Sequence, residues 1–325
     1  MAGDTRPLTI WAVSDGRAGI EAQVEGLARA VARQRPAEVV LKRIAWRFGL
    51  GRLPTSLNPG APTLLAKGEI APPWPDIWIA AGRATLPLSR RQRRRSGGRS
   101  FVVQVQDPRM ALDAFDLVIP PIHDELTGPN VFPILGSPNR LAPDKLSSEL
   151  ARFADRLAPL PRPCIALIVG GKSKAHDLSE AHARNLARQI AEAVRAAGGA
   201  LLVSFTRRTP AAAQAAMRAE FENLPGWIWD GTGDNPYFAF LAAADQILVT
   251  EDSTNLATDA AASGKPLYVL PMSGHSPKLA RFHADLAARG VSRPFGGVFE
   301  TWTYPPLAET ERAAAELLRR FDAAR

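Results

Sequence analysis

The sequence predicts an α/β protein built of two doubly wound domains, each a parallel sheet covered by helices on both faces. Three observations carry this reading. The runs that look like strands are apolar at consecutive positions rather than alternating, the mark of strands buried on both faces in a parallel sheet. They alternate with segments of helical periodicity, as βαβ units do. The 325 residues exceed what one hydrophobic core usually organises, and the proline-rich stretch LAPLPRPC at 157–164 offers a linker near the middle. Residues 1–158 and 163–307 are therefore the expected domains, with a last helix over 308–325 that can pack on either.

The first half opens on the strand LTIWAVS at 8–14, followed by a helix in which Ile20, Val24, Leu27 and Val31 step by 4, 3 and 4 and share one face. Further strands are expected at 39–46 (VVLKRIAW), 76–82 (DIWIAAG), 100–106 (SFVVQVQ) and 116–121 (DLVIPP). The second half reads CIALIVGG at 164–171, ALLVSFT at 200–206, GWIWDG at 226–231, QILVTED at 246–252 and PLYVLPM at 266–272. The helix after the first of these is expected to open at Asp177, with Glu180 three residues on as a capping pair, and to bury Leu186, Ile190 and Val194.

Ligands of doubly wound sheets collect at the carboxyl ends of the strands, so the residues that follow each strand are the candidates. In the first half these include Asp15, Gly16 and Gly19 of SDGRAG, and His123 and Asp124 of HDE. In the second they include Gly171, Lys172 and Ser173 of GGKSK, Arg207 and Arg208 of TRRTP, and Asp230 and Asn235 of DGTGDN. The stretch TEDSTN adds Glu251, Asp252, Ser253, Thr254 and Asn255. A cleft between two such edges is the simplest architecture that uses both together.

Known phosphate motifs fail here. GGKS resembles the end of a P-loop, but the position of that motif's first glycine, 166, is alanine inside a strand. SDGRAG lacks the G-x-G-x-x-G spacing of a tightly held dinucleotide. What remains is the backbone N–H groups at helix starts, offered by loops 170–174 and 252–255, with Lys172, Arg207 and Arg208 as counter-charges for a diphosphate. In VTEDSTNLATDAAASGKPLYVLP, 249–271, helical spacing puts Asp252, Asn255 and Asp259 on one polar stripe opposite Leu256, Ala257, Ala260 and Ala261. Glu251 and Asp259 suit hydroxyl-rich groups on either side of a diphosphate. The alternative is that Asp252 or Ser253 only caps the helix and Asp259 is solvated.

The net charge is +8, and six arginines, Arg90, Arg91, Arg93, Arg94, Arg95 and Arg99, fall within SRRQRRRSGGRS at 89–100. A solvated helix end and a patch for anionic lipid headgroups both fit. Nucleic acid does not, because no aromatic is interleaved for base stacking and no helix-turn-helix or zinc-finger spacing occurs. One cysteine, Cys164, allows neither an intrachain disulfide nor a thiolate metal cluster. The opening residues carry an acid at position 4 and too short an apolar run for a signal peptide, and no later run reaches the ~20 residues of a membrane span. A cytoplasmic protein is expected.

Six ordered motifs, SDGRAGIEAQVEGLARA, VVQVQDPR, PPIHDELTGPNV, GGKSKAHDLS, SFTRRTP and VTEDSTNLATDAAASGKPLYV, resemble the bacterial members of the mitochondrial-fission-like family over about residues 9 to 272. The resemblance implies a GT-B glycosyltransferase-like architecture, two Rossmann-like domains facing across a cleft. It also implies chemistry on nucleotide sugars, in a family whose bacterial members are commonly labelled epimerase-like. The stretch 249–271 is similar to the donor-binding segment of GT-B transferases, where an acid five residues before the glycine of G-x-P holds the ribose; Asp259 stands there before Gly264, as aspartate where glutamate is usual.

The leading expectation is thus a glycosyltransferase that takes a nucleotide-diphosphate sugar as donor, with no cofactor and, lacking an Asp-x-Asp motif, no metal. Gly171, Lys172, Arg207 and Ser253 would meet the diphosphate, Glu251 and Asp252 the sugar, Asp259 the ribose, and Asp15, His123 or Asp124 the acceptor's proton. The arginine cluster would rest the first domain on the inner membrane surface. The alternatives are a nucleotide-sugar epimerase and a non-catalytic GT-B-shaped scaffold.

Overall fold

A computed structural model describes residues 6–325, so Met1–Thr5, the start of the expected first domain, lie outside the described residues. The chain forms two compact units, one of the residues up to Arg140 together with Ala308–Arg325, the other Leu141–Leu307.

The first unit is built on a five-stranded parallel sheet of β1 (Leu8–Ser14), β2 (Ala37–Arg43), β3 (Ile77–Ala81), β4 (Phe101–Val105) and β5 (Leu117–Ile119), ordered β2-β1-β3-β4-β5. All five residues of β3 and of β4 are buried, as continuous apolar runs require. Helix α1 (Ala18–Gln34) lays Val24, Leu27 and Val31 on one face of the sheet, against Ile10, Ile77 and Val103. The final helix, Glu309–Ala323, completes that core with Ala313, Leu317 and Phe321, so the carboxyl-terminal segment joins the first unit. Helix α2 (Leu86–Arg95) supplies Leu86 and Leu88 to the opposite face, beside Trp11, Trp78 and Val102.

In the second unit six parallel strands follow: β6 (Cys164–Val169), β7 (Ala200–Phe205), β8 (Gly226–Ile228), β9 (Gln246–Thr250), β10 (Leu267–Leu270) and β11 (Ser292–Pro294). Their order, β8-β7-β6-β9-β10-β11, is that of a dinucleotide-type Rossmann sheet, which reverses direction between β6 and β9. The edge strand β11 carries only three residues and gave no apolar run to read.

Two boundaries differ from the sequence reading. The units divide after Arg140 rather than at 158–163, because the helix Pro143–Arg152 and the turn behind it pack on the second unit: Phe153 meets Trp227 at 5.5 Å between ring centroids, and the Lys145 ammonium lies 4.7 Å from the Phe238 ring. The prolines of LAPLPRPC lead into β6 within that unit, fastened by an Arg162–Asp245 ion pair. The helix Glu180–Ala196 is capped by Ser179, whose hydroxyl accepts from the His182 amide at 3.2 Å, and not by Asp177. Asp177 sits instead in a two-residue strand paired with Ser273. Among the described residues no helix is long and apolar enough to cross a membrane.

Candidate functional site

Where a doubly wound sheet reverses its order, the helices on either side lie on opposite faces and leave a crevice at the strand ends. In the second unit this point brings together the loop after β6, Gly170–Ser173, and the loop after β9, Glu251–Ser253, which enters the helix Thr254–Ala262.

Asp252 organises the junction. Its carboxylate accepts from the Gly171 amide at 3.0 Å, the Thr250 hydroxyl at 2.7 Å and the Arg208 guanidinium at 2.8 Å, and its side chain has no exposed surface. The Thr250 hydroxyl accepts in turn from the Gly170 amide at 2.7 Å. Gly170 must be glycine, since a Cβ there would lie 2.0 Å from Asp252 Oδ1. Arg208 Nη1 also spans to the Gly171 and Lys172 carbonyls, both at 3.3 Å, and its own carbonyl takes the Lys172 amide at 3.0 Å. The Ser173 amide donates to the His176 carbonyl at 2.9 Å, and its hydroxyl accepts from the Ala175 and His176 amides.

This geometry reassigns several expectations. The amides of 170–173 serve the protein's own structure, so this loop does not present the open phosphate cradle expected of it. Asp252 points inward, to the Gly171 amide and Arg208, into the space that the missing Cβ of Gly170 leaves. Arg208 is held as its counter-ion. The side chains left at the solvent side are Lys172, 3.7 Å from Asp177 and largely exposed, and Arg207, exposed with no partner among the described residues.

Ser253 caps the helix Thr254–Ala262: its hydroxyl accepts from the Leu256 amide at 3.4 Å, and its carbonyl from the Ala257 amide at 3.3 Å. Thr254 and Asn255 occupy the first turn, and Asp259 lies a turn further on, half-buried. Asp259 is not simply solvated; the Tyr237 hydroxyl donates to its Oδ2 at 2.8 Å. Tyr237 opens the helix Tyr237–Ala243, directly after the DGTGDN loop, and was missed in the sequence although its place after a carboxyl-edge loop was a signal. In that loop Asp230 accepts from the Thr232 amide and hydroxyl and Asn235 from the Tyr237 amide, so both shape turns.

Glu251 accepts from the Met272 amide at 2.6 Å, and its carbonyl lies 2.9 Å from His283 Nε2. His283 and His176 were also passed over. Both carry a buried Nδ1 without a partner, and burial pushes the His283 imidazole below its ordinary range.

At the carboxyl edge of the first unit Asp15 is paired with Arg17 at 2.7 Å, and Gly16 adopts φ +78° in the turn behind it. Gly19 lies in the first turn of α1. His123 is buried and Asp124 half-buried in a single helical turn, Ile122–Asp124. The arginine cluster is engaged within the unit: Arg93 pairs with Asp116 at 3.2 Å, Arg90 and Arg91 each donate to the Asn58 carbonyl at 3.3 Å, Arg95 to Gly60, and Arg99 to Ser96 at 3.0 Å. Of the six, only the Arg94 side chain makes no hydrogen bond or ion pair among the described residues, while its carbonyl accepts from the Gly97 amide at 3.1 Å.

Residues 18–321 match the family described as Mitochondrial fission ELM1. The chain belongs to that family. It is 31% identical over 280 residues to the mitochondrial fission protein ELM1 of Arabidopsis thaliana, a match covering 77% of this chain and 64% of the plant protein, so the chain spans under two thirds of that relative's length. Among solved structures, Os79 of O. sativa in complex with UDP superposes with a TM-score of 0.53 at 13% identity, over 97% of this chain and 94% of that one. The UDP-GlcNAc 2-epimerase of Neisseria meningitidis bound to UDP-GlcNAc gives 0.51 at 10% identity, over 98% and 93%. At such identities the likeness shows the fold: this ELM1-family chain has the GT-B type architecture of two Rossmann-like domains, shared by glycosyltransferases and UDP-GlcNAc epimerases.

Proposed function

We propose that the chain binds a nucleotide-diphosphate sugar at the carboxyl edge of its second unit and transfers the sugar to an acceptor hydroxyl. The observation that carries this reading is the start of the helix Thr254–Ala262 at the reversal point of a Rossmann-ordered sheet, with the flanking loops locked by Asp252. A helix start offers amide donors and the positive end of a dipole, a fit for phosphate. Because Asp252 holds the Gly171 amide, the diphosphate contact is assigned to the start of the helix Thr254–Ala262, with Lys172 and Arg207 supplying charge. Asp259, anchored by Tyr237, is assigned to the ribose, and Glu251 to the sugar. Complexes of GT-B neighbours with UDP and UDP-GlcNAc support this choice of ligand class.

In the reaction the acceptor oxygen bonds to the anomeric carbon, and the bond from that carbon to the diphosphate breaks with its electron pair. The acceptor's proton passes to a base, proposed among Asp15, His123 and Asp124. Developing charge on the diphosphate is met by the helix start and the two cations. A second reading, epimerisation of the donor without an acceptor, is favoured by the fold shared with UDP-GlcNAc 2-epimerases. Titration calorimetry with UDP, GDP and ADP and their sugar conjugates tests the common step. Saturable binding that weakens about tenfold in Arg207→Ala is expected; heat no larger than dilution with every nucleotide refutes it.

A further inference from the structure

The molecule exposes few large apolar side chains, and they are unevenly placed. Of the six among the described residues, four, Leu41, Phe48, Leu53 and Leu57, fall within seventeen residues of the first unit, beginning in β2 and continuing into the loop behind it. Phe48 is 87% exposed and Leu57 66%. Phe48 also holds a left-handed backbone, φ +52°, followed by Gly49 at φ +68°. A bulky residue rarely takes that conformation, so the chain spends backbone strain to hold a phenyl ring in water.

The same loop is pinned from beneath. Arg83 donates to the carbonyls of Arg52 and Leu53, Arg90 and Arg91 to that of Asn58, and Arg95 to that of Gly60. Arg83 fixes the loop's backbone, the arginine-rich helix behind it fixes the residues where the loop ends, and the loop's apolar side chains are exposed. The segment is rich in cations: residues 39–68 hold Lys42, Arg43, Arg47, Arg52 and Lys67 between the flanking acids Glu38 and Glu69, Arg43 pairs with Glu21, and α2 adds further arginines and no acid.

We propose that the loop of residues 47–57 docks the protein on an anionic lipid surface, Phe48, Leu53 and Leu57 entering the acyl boundary while Arg47 and Arg52 meet the headgroups. Scattered protruding side chains ringed by cations suit a fluid interface, where apolar insertion and headgroup attraction act together. The site is distinct from the nucleotide-sugar crevice and stands or falls without it.

The full chain is co-sedimented with vesicles of phosphatidylcholine alone and of phosphatidylcholine with phosphatidylglycerol, at low and high salt. Binding is expected only to the anionic vesicles, falling with salt. Arg52→Gln should weaken it roughly fivefold. The decisive variant is Phe48→Asn, because asparagine accepts φ > 0 more readily than phenylalanine: its Tm should equal or exceed the parent's while partitioning falls about tenfold. A ring that serves the fold would give a lower Tm and unchanged partitioning, which overturns the proposal. So does equal binding to both vesicle types, or none to either, the latter pointing to an acidic protein partner.

Discussion

At the residue scale, Asp252 shows what a sequence can and cannot disclose about a site. Its position at the end of β9 was legible, since an acid after an apolar strand belongs to the carboxyl edge. Its direction was not, because that depends on Gly170, eighty-two positions away, having no Cβ and on Arg208 crossing from a third strand end. The same holds for Asp259, whose partner Tyr237 comes from another helix. The geometry predicts that Asp252→Ala acts first on stability. Losing a fully buried carboxylate strands the Gly171 amide and the Arg208 guanidinium, at a cost of about 2–3 kcal/mol, reduced from the fully buried case because Arg208 is half exposed. Urea unfolding checks this; an Asp252→Ala protein of unchanged stability would mean that the carboxylate faces outward.

At the element scale, most strands and the long helices were readable, because continuous apolar runs and 3-4 spacing are local properties. The short edge strand β11 and the helix Pro143–Arg152 were not; their partners, β10 for the strand and Trp227 and Phe238 for the helix and the turn behind it, are remote in sequence. A second remote contact ties elements of the first unit. Asp76, just before β3, takes Arg6 at 2.7 and 2.9 Å, the Thr9 amide of β1 at 2.9 Å and Arg325 at 2.9 Å. Burial alone would raise its pKa, but these donors together outweigh burial and hold the carboxyl at about 2. Since the folded value lies below the unfolded one, the clamp's contribution is present above about pH 4 and is lost as pH falls through 2, amounting to about 2 kcal/mol. Denaturant midpoints from pH 7 to pH 2 should therefore fall less steeply in Asp76→Asn, which starts lower; parallel profiles would show that the clamp does not titrate as described.

At the scale of the whole molecule, the two-domain α/β class was legible from the alternation of apolar runs and helices, whereas the assignment of the final helix to the first unit was not. That helix carries a generic apolar stripe, and only its fit against α1 and β4 selects the partner, Phe321 meeting Phe101 edge-on at 5.8 Å. The proposed ligand is a nucleotide sugar, and the proposed place for its diphosphate is the start of the helix Thr254–Ala262, at the reversal point of the second unit's sheet. The central claim is that phosphate meets the first turn of Thr254–Ala262. Amide resonances in an isotope-labelled sample titrated with UDP, GDP and ADP report on it directly. The account predicts saturable shifts centred on Thr254 and Asn255 with at least one nucleotide; saturable shifts centred elsewhere while these two amides stay still would contradict it.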